Sequence, residues 1–191
     1  MRVITGTARG RKLREPSDNK IRPTTDMVKE AIFNIVQFDI EGRAVLDLFA
    51  GTGQLGIEAL SRGAESAVFV DESAEAVKLV GANLRNTGLE QRAQVIQGDS
   101  MLYLRGARKF DVIFLDPPYE TTLLDKALSL INQFDILKGN GIIVCESKRE
   151  KEMLAVSQPY RMLREYVYGR IKLTTYTRIV ESTDGIERSE V

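Results

Sequence analysis

The sequence predicts an α/β fold: a mostly parallel, seven-stranded sheet with helices on both faces, ending in an antiparallel hairpin and preceded by a small N-terminal extension. Three observations predict it. Short, continuous apolar runs recur at residues 44–49, 67–70, 94–96, 112–115 and 142–144. Amphipathic stretches separate most of them, at residues 54–61, 73–86, 100–104 and 122–133. The last two runs, 162–168 and 171–179, face each other across Gly169-Arg170 with no helix between them. Apolar strands alternating with helices are buried on both faces, as in parallel sheets. A two-residue connection instead closes a hairpin.

Residues 1–25 read as a basic arm or hairpin: Arg2-Val3-Ile4-Thr5, a turn region around Gly6 and Gly10, then Lys12-Leu13-Arg14 before Pro16. Pro23 and Thr24 lead into a helix from Asp26 to about residue 38. Val28, Ala31, Ile32, Ile35 and Val36 recur there at three- and four-residue spacing. Asp26 favours its positive N-terminal end and Thr25 is its expected cap. Residues 26–180 are expected to form the main domain. Residues 181–191 are polar, lack periodicity, and are expected to be a frayed tail.

Composition narrows the chemistry. With 191 residues, 43% of them hydrophobic, the chain can build its core without disulfides or a structural metal. Its one cysteine, Cys145, sits in an apolar run and reads as a buried small hydrophobe. There is no histidine, which removes imidazole bases, the Ser-His-Asp triad and the usual zinc ligand sets, so no metal is expected. No apolar run approaches the ~18–20 residues of a membrane span, and no secretion segment opens the chain, so a soluble, cytoplasmic protein is expected. The formal charge is zero, but residues 1–25 carry seven basic side chains against Glu15 and Asp18, leaving an acidic remainder. That asymmetry points to a basic segment meeting nucleic acid, with Arg9, Arg11, Lys12 and Arg22 as candidate contacts.

The first core strand runs into Asp47-Leu48-Phe49-Ala50-Gly51-Thr52-Gly53-Gln54-Leu55-Gly56, a glycine turn between a buried strand and a helix. Glycines allow the tight turn and a close ligand approach, and the helix start offers free N–H groups. The spacing Gly51, Gly53, Gly56, with Asp71 at the end of the next strand, also satisfies the dinucleotide fingerprint, so spacing alone leaves a nicotinamide or flavin cofactor open. Two features favour S-adenosylmethionine. Asp47 would repel a pyrophosphate but suits an ammonium group. Asp47, Asp71 and Asp99 (in Gly98-Asp99-Ser100) fall at three successive strand ends. Asp71 is placed to accept from ribose hydroxyls and Asp99 from an adenine amine.

The fourth strand ends in Asp116-Pro117-Pro118-Tyr119. An exocyclic amine is a poor nucleophile because its lone pair is delocalised into the ring. If the Asp116 carboxylate and the Pro117 carbonyl accept its two N–H bonds, they favour the tetrahedral nitrogen of methyl transfer. The prolines hold both acceptors in place, and Tyr119 offers a ring on which an extruded base can stack. In this reading stacking uses the ring and the hydroxyl has no task.

Residues 47–53 together with Asp116-Pro117-Pro118-Tyr119 resemble class I (Rossmann-like) methyltransferases acting on amino nitrogens of adenine or guanine. Arg9-Gly10-Arg11-Lys12-Leu13, Arg22-Pro23-Thr24-Thr25-Asp26-Met27-Val28-Lys29-Glu30-Ala31-Ile32-Phe33-Asn34-Ile35 and Gly56-Ile57-Glu58-Ala59-Leu60-Ser61-Arg62-Gly63-Ala64 narrow this. They resemble the bacterial RsmD family of 16S ribosomal RNA guanine-N2 methyltransferases, over roughly residues 2–179. The resemblance implies cofactor binding by Asp47, Phe49, Gly51, Gly53, Asp71, Asp99 and Ser100, and catalysis by Asp116, Pro117, Pro118 and Tyr119. Arg22 and Thr24 would border the active site. The implied partner is ribosomal RNA within small-subunit particles.

Three rivals remain. An adenine-N6 methyltransferase could use the same tetrapeptide, although no segment is left to read a DNA sequence. A nicotinamide oxidoreductase would need a substrate domain for which the chain lacks room. A non-catalytic cofactor-binding module would have no use for an intact tetrapeptide. Cysteine-dependent C5 methylation is excluded, because Cys145 lies mid-strand without a neighbouring proline.

Overall fold

The computed structural model describes residues 1–15 and 26–180. Arg22, Thr24, the expected cap Thr25 and the tail 181–191 lie outside the described residues. In chain order the elements are α1 (Asp26–Ile35), β1 (Ala44–Asp47), α2 (Gln54–Ser61), β2 (Ser66–Asp71), α3 (Ala74–Thr87), a short 3₁₀ turn, β3 (Ala93–Gln97), α4 (Ser100–Leu104), β4 (Phe110–Leu115), α5 (Leu123–Phe134), β5 (Leu137–Lys148), β6 (Tyr160–Tyr168) and β7 (Ile171–Arg178). The strands form one sheet in the order β3-β2-β1-β4-β5-β7-β6. Pairings among β1 to β5 are parallel, and β7 pairs antiparallel with both β5 and β6.

Alternation along the buried strands builds two cores. Val45, Phe69, Val112, Phe114 and Val144 point to one face, with buried residues of α1, α2 and α3. Leu46, Val68, Ile113, Leu115 and Cys145 point to the other, with Leu104 of α4 and Leu124, Leu128 and Ile131 of α5. A strand covered on both faces needs no polar position, which is why these runs read as continuous apolar sequence.

Several boundaries differ from expectation, three of them with a clear local cause. Helix α1 stops at Ile35, because a turn closed by the Asp39 N–H on the Val36 carbonyl (2.9 Å) buries Val36 and Ile40 and leaves Phe38 89% exposed. Strand β1 stops at Asp47, where the chain turns into the glycine loop. Strand β5 begins well before the apolar run, since Gly139-Asn140-Gly141 stays within it rather than turning away. There a Cβ on residue 141 would lie 2.8 Å from the Asp111 carbonyl oxygen, and the register with β4 shifts at that point.

The first residues fold back on themselves. Val3 donates to the Arg11 carbonyl and Gly10 to that of Val3, each at 2.9 Å, around an isolated antiparallel bridge between Arg2 and Lys12. Val3, Ala8 and Leu13 are buried in the α1–α3 core. Glu58 of α2, wholly buried, accepts the N–H groups of Ile4 (2.7 Å) and Thr5 (2.9 Å) and the Arg62 guanidinium (2.9 Å). Lys29 lies 3.9 Å from the same carboxylate and donates to the Arg2 carbonyl; burial lowers its pKa from the ordinary lysine value. Gly6, at φ 88°, sits where a Cβ would come within 1.8 Å of the Ser61 carbonyl oxygen.

Candidate active site

The strand order reverses between β1 and β4, so connections leave the sheet in opposite directions there, the point at which sheets of this kind bind ligands beyond the strand C-termini. The glycine loop follows β1 at that point and leads into α2. Gly51 (φ 53°) and Gly53 (φ 77°) take left-handed conformations, and Gly53 precedes α2 as a cap without a side chain. Gly56 has a different job: a Cβ there would lie 2.3 Å from the Phe69 ring, so its absence lets α2 pack against β2.

Two strand-end acids brace this loop. Asp47, 3% exposed, accepts the Gly56 N–H at 3.0 Å; burial pushes its pKa up to about 7, against the Gly56 hydrogen bond and with help from the charge on Asp71. Asp71 accepts the Gly51 N–H (2.8 Å) on one oxygen and the Ser73 N–H (2.9 Å) on the other. A carboxylate offers about four lone-pair sites, so Asp71 retains capacity for ribose hydroxyls. The amide oxygen of Gln54, first residue of α2, is buried with no hydrogen-bond partner among the described residues. An unsatisfied buried acceptor costs about 1–3 kcal/mol, a cost a donor-rich ligand at the loop can relieve. Left-handed glycines, a buried acid, a strand-end acid and an orphaned acceptor together fit S-adenosylmethionine, whose amino-acid and ribose groups are rich in donors.

Asp99 and Ser100 stand at the start of α4. Asp99 is exposed and accepts the Leu102 N–H at 2.7 Å, capping the helix with one oxygen. The Ser100 hydroxyl donates to the Leu48 carbonyl at 2.8 Å, bracing the chain just after β1. Phe49 is partly buried against the α4–α5 core.

Asp116, Pro117, Pro118 and Tyr119 follow β4 on the other side of the switch. Asp47 pairs in register with Phe114, so Asp116 lies two residues past the position opposite Asp47. Pro117, Pro118 and Tyr119 line a cleft of about 290 Å³ with Leu124 of α5 and Glu146 and Lys148 of β5. The Tyr119 hydroxyl donates to Glu146 Oε1 at 2.5 Å, and Glu146 is 4% exposed. The structure therefore brings the glycine-loop residues and the tetrapeptide to the same end of neighbouring strands.

Arg9, Arg11 and Lys12 are exposed on the N-terminal hairpin, which is held by α2 and α3 rather than by the β4–β5 cleft. Asn83 of α3, wholly buried, joins that hairpin to the glycine loop: it accepts the Arg14 N–H (2.7 Å) and donates to the Thr52 carbonyl (3.0 Å). Sequence reasoning missed Asn83 and Glu146. Nothing marks an Asn inside an amphipathic helix. Glu146 did carry a signal, an acid just past the apolar run of a parallel strand, the same feature that singled out Asp47, Asp71 and Asp116. Cys145 is buried and its thiol pKa is pushed up by that burial, which removes it as a nucleophile.

The comparisons with known proteins agree with this geometry. The family model described as conserved hypothetical protein 95 matches residues 1–177. The Bacillus subtilis protein YlbH, provisionally named an rRNA methyltransferase, is 42% identical over 182 residues, covering 93% of this chain and 99% of its own. The ribosomal RNA small subunit methyltransferase D of Haemophilus influenzae is 34% identical over 180 residues, covering 92% and 93%. A solved Escherichia coli structure, a provisionally named methyltransferase, superposes with a TM-score of 0.84 at 33% identity, covering 94% of this chain and 98% of its own. With a family model spanning nearly the whole chain and relatives aligned end to end, the chain belongs to the conserved hypothetical protein 95 family, the RsmD family of methyltransferases.

Proposed function

We propose that this chain transfers the methyl group of S-adenosylmethionine to the exocyclic N2 amine of a guanine in 16S ribosomal RNA, acting in the cytoplasm on small-subunit particles. The observation that carries the reading is the Asp116–Tyr119 tetrapeptide at the end of β4, across the switch point from a glycine loop braced by Asp47 and Asp71. The names of the aligned relatives support ribosomal RNA as the substrate polymer.

When bound, the cofactor supplies an electrophilic methyl group on a sulfonium. The protein's own residues do the rest. Asp71 holds ribose hydroxyls, Asp47 faces the ammonium end, and Asp99 offers its second oxygen to the adenine. The Tyr119 ring receives the extruded base. The Asp116 carboxylate and Pro117 carbonyl accept the two N–H bonds of its amine, turning the lone pair outward and stabilising the positive charge that develops on nitrogen. The exposed Arg9, Arg11 and Lys12, with Arg22 and Thr24, contact RNA phosphates and the rim of the site.

The test is nucleoside mass spectrometry of small-subunit RNA from cells lacking this protein, followed by incubation with the purified protein and labelled cofactor. One N2-methylguanosine should disappear and be restored in vitro. Loss of an N6-methyladenosine instead would transfer the reading to adenine, and an unchanged nucleoside profile with no transfer would end it.

A further inference from the structure

We infer that Glu146 is a positioning residue for methyl transfer, holding the Tyr119 ring at the angle at which it receives the base; the inference rests on the tetrapeptide reading above. Glu146 is near the end of β5, 4% exposed, in a run whose neighbours Val144 and Cys145 are apolar and buried. A carboxylate is costly to bury and persists where a specific partner uses it. One partner is the Tyr119 hydroxyl, 27 residues earlier in sequence, at 2.5 Å, and both residues line the cleft beside Pro117 and Pro118.

The geometry explains why the bond is needed. Two prolines fix the backbone leading into Tyr119 but leave its side-chain torsions free. An aromatic ring anchored only at Cβ can swing between rotamers, and a stacking platform that swings captures a base poorly. Tying the far end of the ring to a buried group on the neighbouring strand fixes it at two points. A hydrogen bond from a hydroxyl to a carboxylate is short and strong enough to select one rotamer. Stacking alone gives the hydroxyl no task; here it sets the orientation of the ring.

Where Glu146 acts on methyl transfer through Tyr119, removing either half of the bond has the same consequence. Steady-state methyl transfer from labelled cofactor to small-subunit RNA is measured for wild type, Tyr119→Phe, Glu146→Leu, Glu146→Gln and the Tyr119→Phe/Glu146→Leu double variant, with a thermal melt of each. Tyr119→Phe and Glu146→Leu should each raise the KM for RNA about tenfold, the scale of one hydrogen bond to a charged group, while kcat changes far less. The double variant should be no worse than either single one. Glu146→Gln, which keeps an acceptor in place, should recover most of the loss. Unchanged KM in Tyr119→Phe, or losses that multiply in the double variant, would overturn the inference, as would a lowered melting temperature as the sole effect. Tyr119→Phe keeps the test decisive should Glu146→Leu fail to fold. A wild-type protein that transfers no methyl group to this RNA would count against the function itself and not against the role of Glu146.

Discussion

Asp47 ties folding, and in the function proposed above ligand binding, to the ionisation of one carboxyl group. It is almost wholly buried, and its desolvation raises the carboxyl pKa to about 7 from an ordinary value of 3.8. In the unfolded chain it ionises near 3.8, so its contribution to stability is fully present below that pH and is lost as pH rises towards about 7. A cationic ligand group beside it reverses the preference, favouring the ionised form. Binding of S-adenosylhomocysteine, which carries the same ammonium group, should therefore release a proton below about pH 7. Its affinity should rise by up to about tenfold per pH unit there and level off above. The chain has no histidine to blur that profile. Asp47→Asn should flatten it and weaken binding at pH 8, while making the ligand-free protein more stable at neutral pH. Calorimetric titrations at pH 5.5, 6.5 and 8 check this, and an affinity independent of pH in the unaltered protein would refute it.

Elements with a strong local pattern are legible in the sequence; those defined by a distant partner are not. Among the described residues, five helices and seven strands appear where periodicity places them, because a buried parallel strand and an amphipathic helix each write their environment into consecutive residues. Strand β5 is longer than its apolar run, since its first half contains Gly139-Asn140-Gly141 and nothing local says that Asp111 needs the space a side chain at 141 would fill. In the candidate site, the glycine loop and the tetrapeptide stand out as contiguous motifs. Glu146 and Asn83 act on Tyr119 and Thr52, which are 27 and 31 residues away, so only the fold reveals their partners. The N-terminal hairpin is the instructive element. Its charge is legible, but its anchoring on Glu58 and the burial of Val3, Ala8 and Leu13 are not. Deleting it would strip the core and leave Glu58 with fewer partners, confusing instability with a weaker hold on RNA. Charge reversal is cleaner: Arg9→Glu with Arg11→Glu alters two exposed side chains. If both touch phosphates, RNA affinity should fall and the log–log salt slope should shrink by nearly 1 for each phosphate no longer neutralised. Melting temperature and S-adenosylhomocysteine affinity should stay as they were. An unchanged slope in filter-binding titrations across salt concentrations would mean that the hairpin does not touch RNA.

Across the whole molecule, the reversal of strand order divides the work between two halves of one sheet. The ends of β1 and β2 carry the glycine loop and its two bracing acids; the ends of β4 and β5 carry the tetrapeptide and the carboxylate that ties Tyr119. Because β1 and β4 are adjacent and parallel, a group held by the first half lies next to one held by the second, while each half keeps its own hydrogen bonds. Substitutions in the two halves should therefore fail in different ways. Asp71→Ala removes the acceptor of the Gly51 N–H and, in the function proposed above, the partner of the ribose hydroxyls. It should weaken S-adenosylhomocysteine binding about tenfold or more, the scale of losing hydrogen bonds to a charged group, yet recover much of its rate when cofactor is saturating. In the proposed mechanism Asp116→Ala removes an acceptor needed chiefly as the amine becomes tetrahedral. At saturating cofactor and RNA it should lower the single-turnover rate by roughly 100-fold, on the scale of one preorganised electrostatic partner, with little change in cofactor affinity. Calorimetry and single-turnover transfer on the same preparations separate the two. Near-normal turnover in Asp116→Ala, or a loss of cofactor affinity there equal to that of Asp71→Ala, would show that the two halves of the sheet do not divide binding from chemistry in this way.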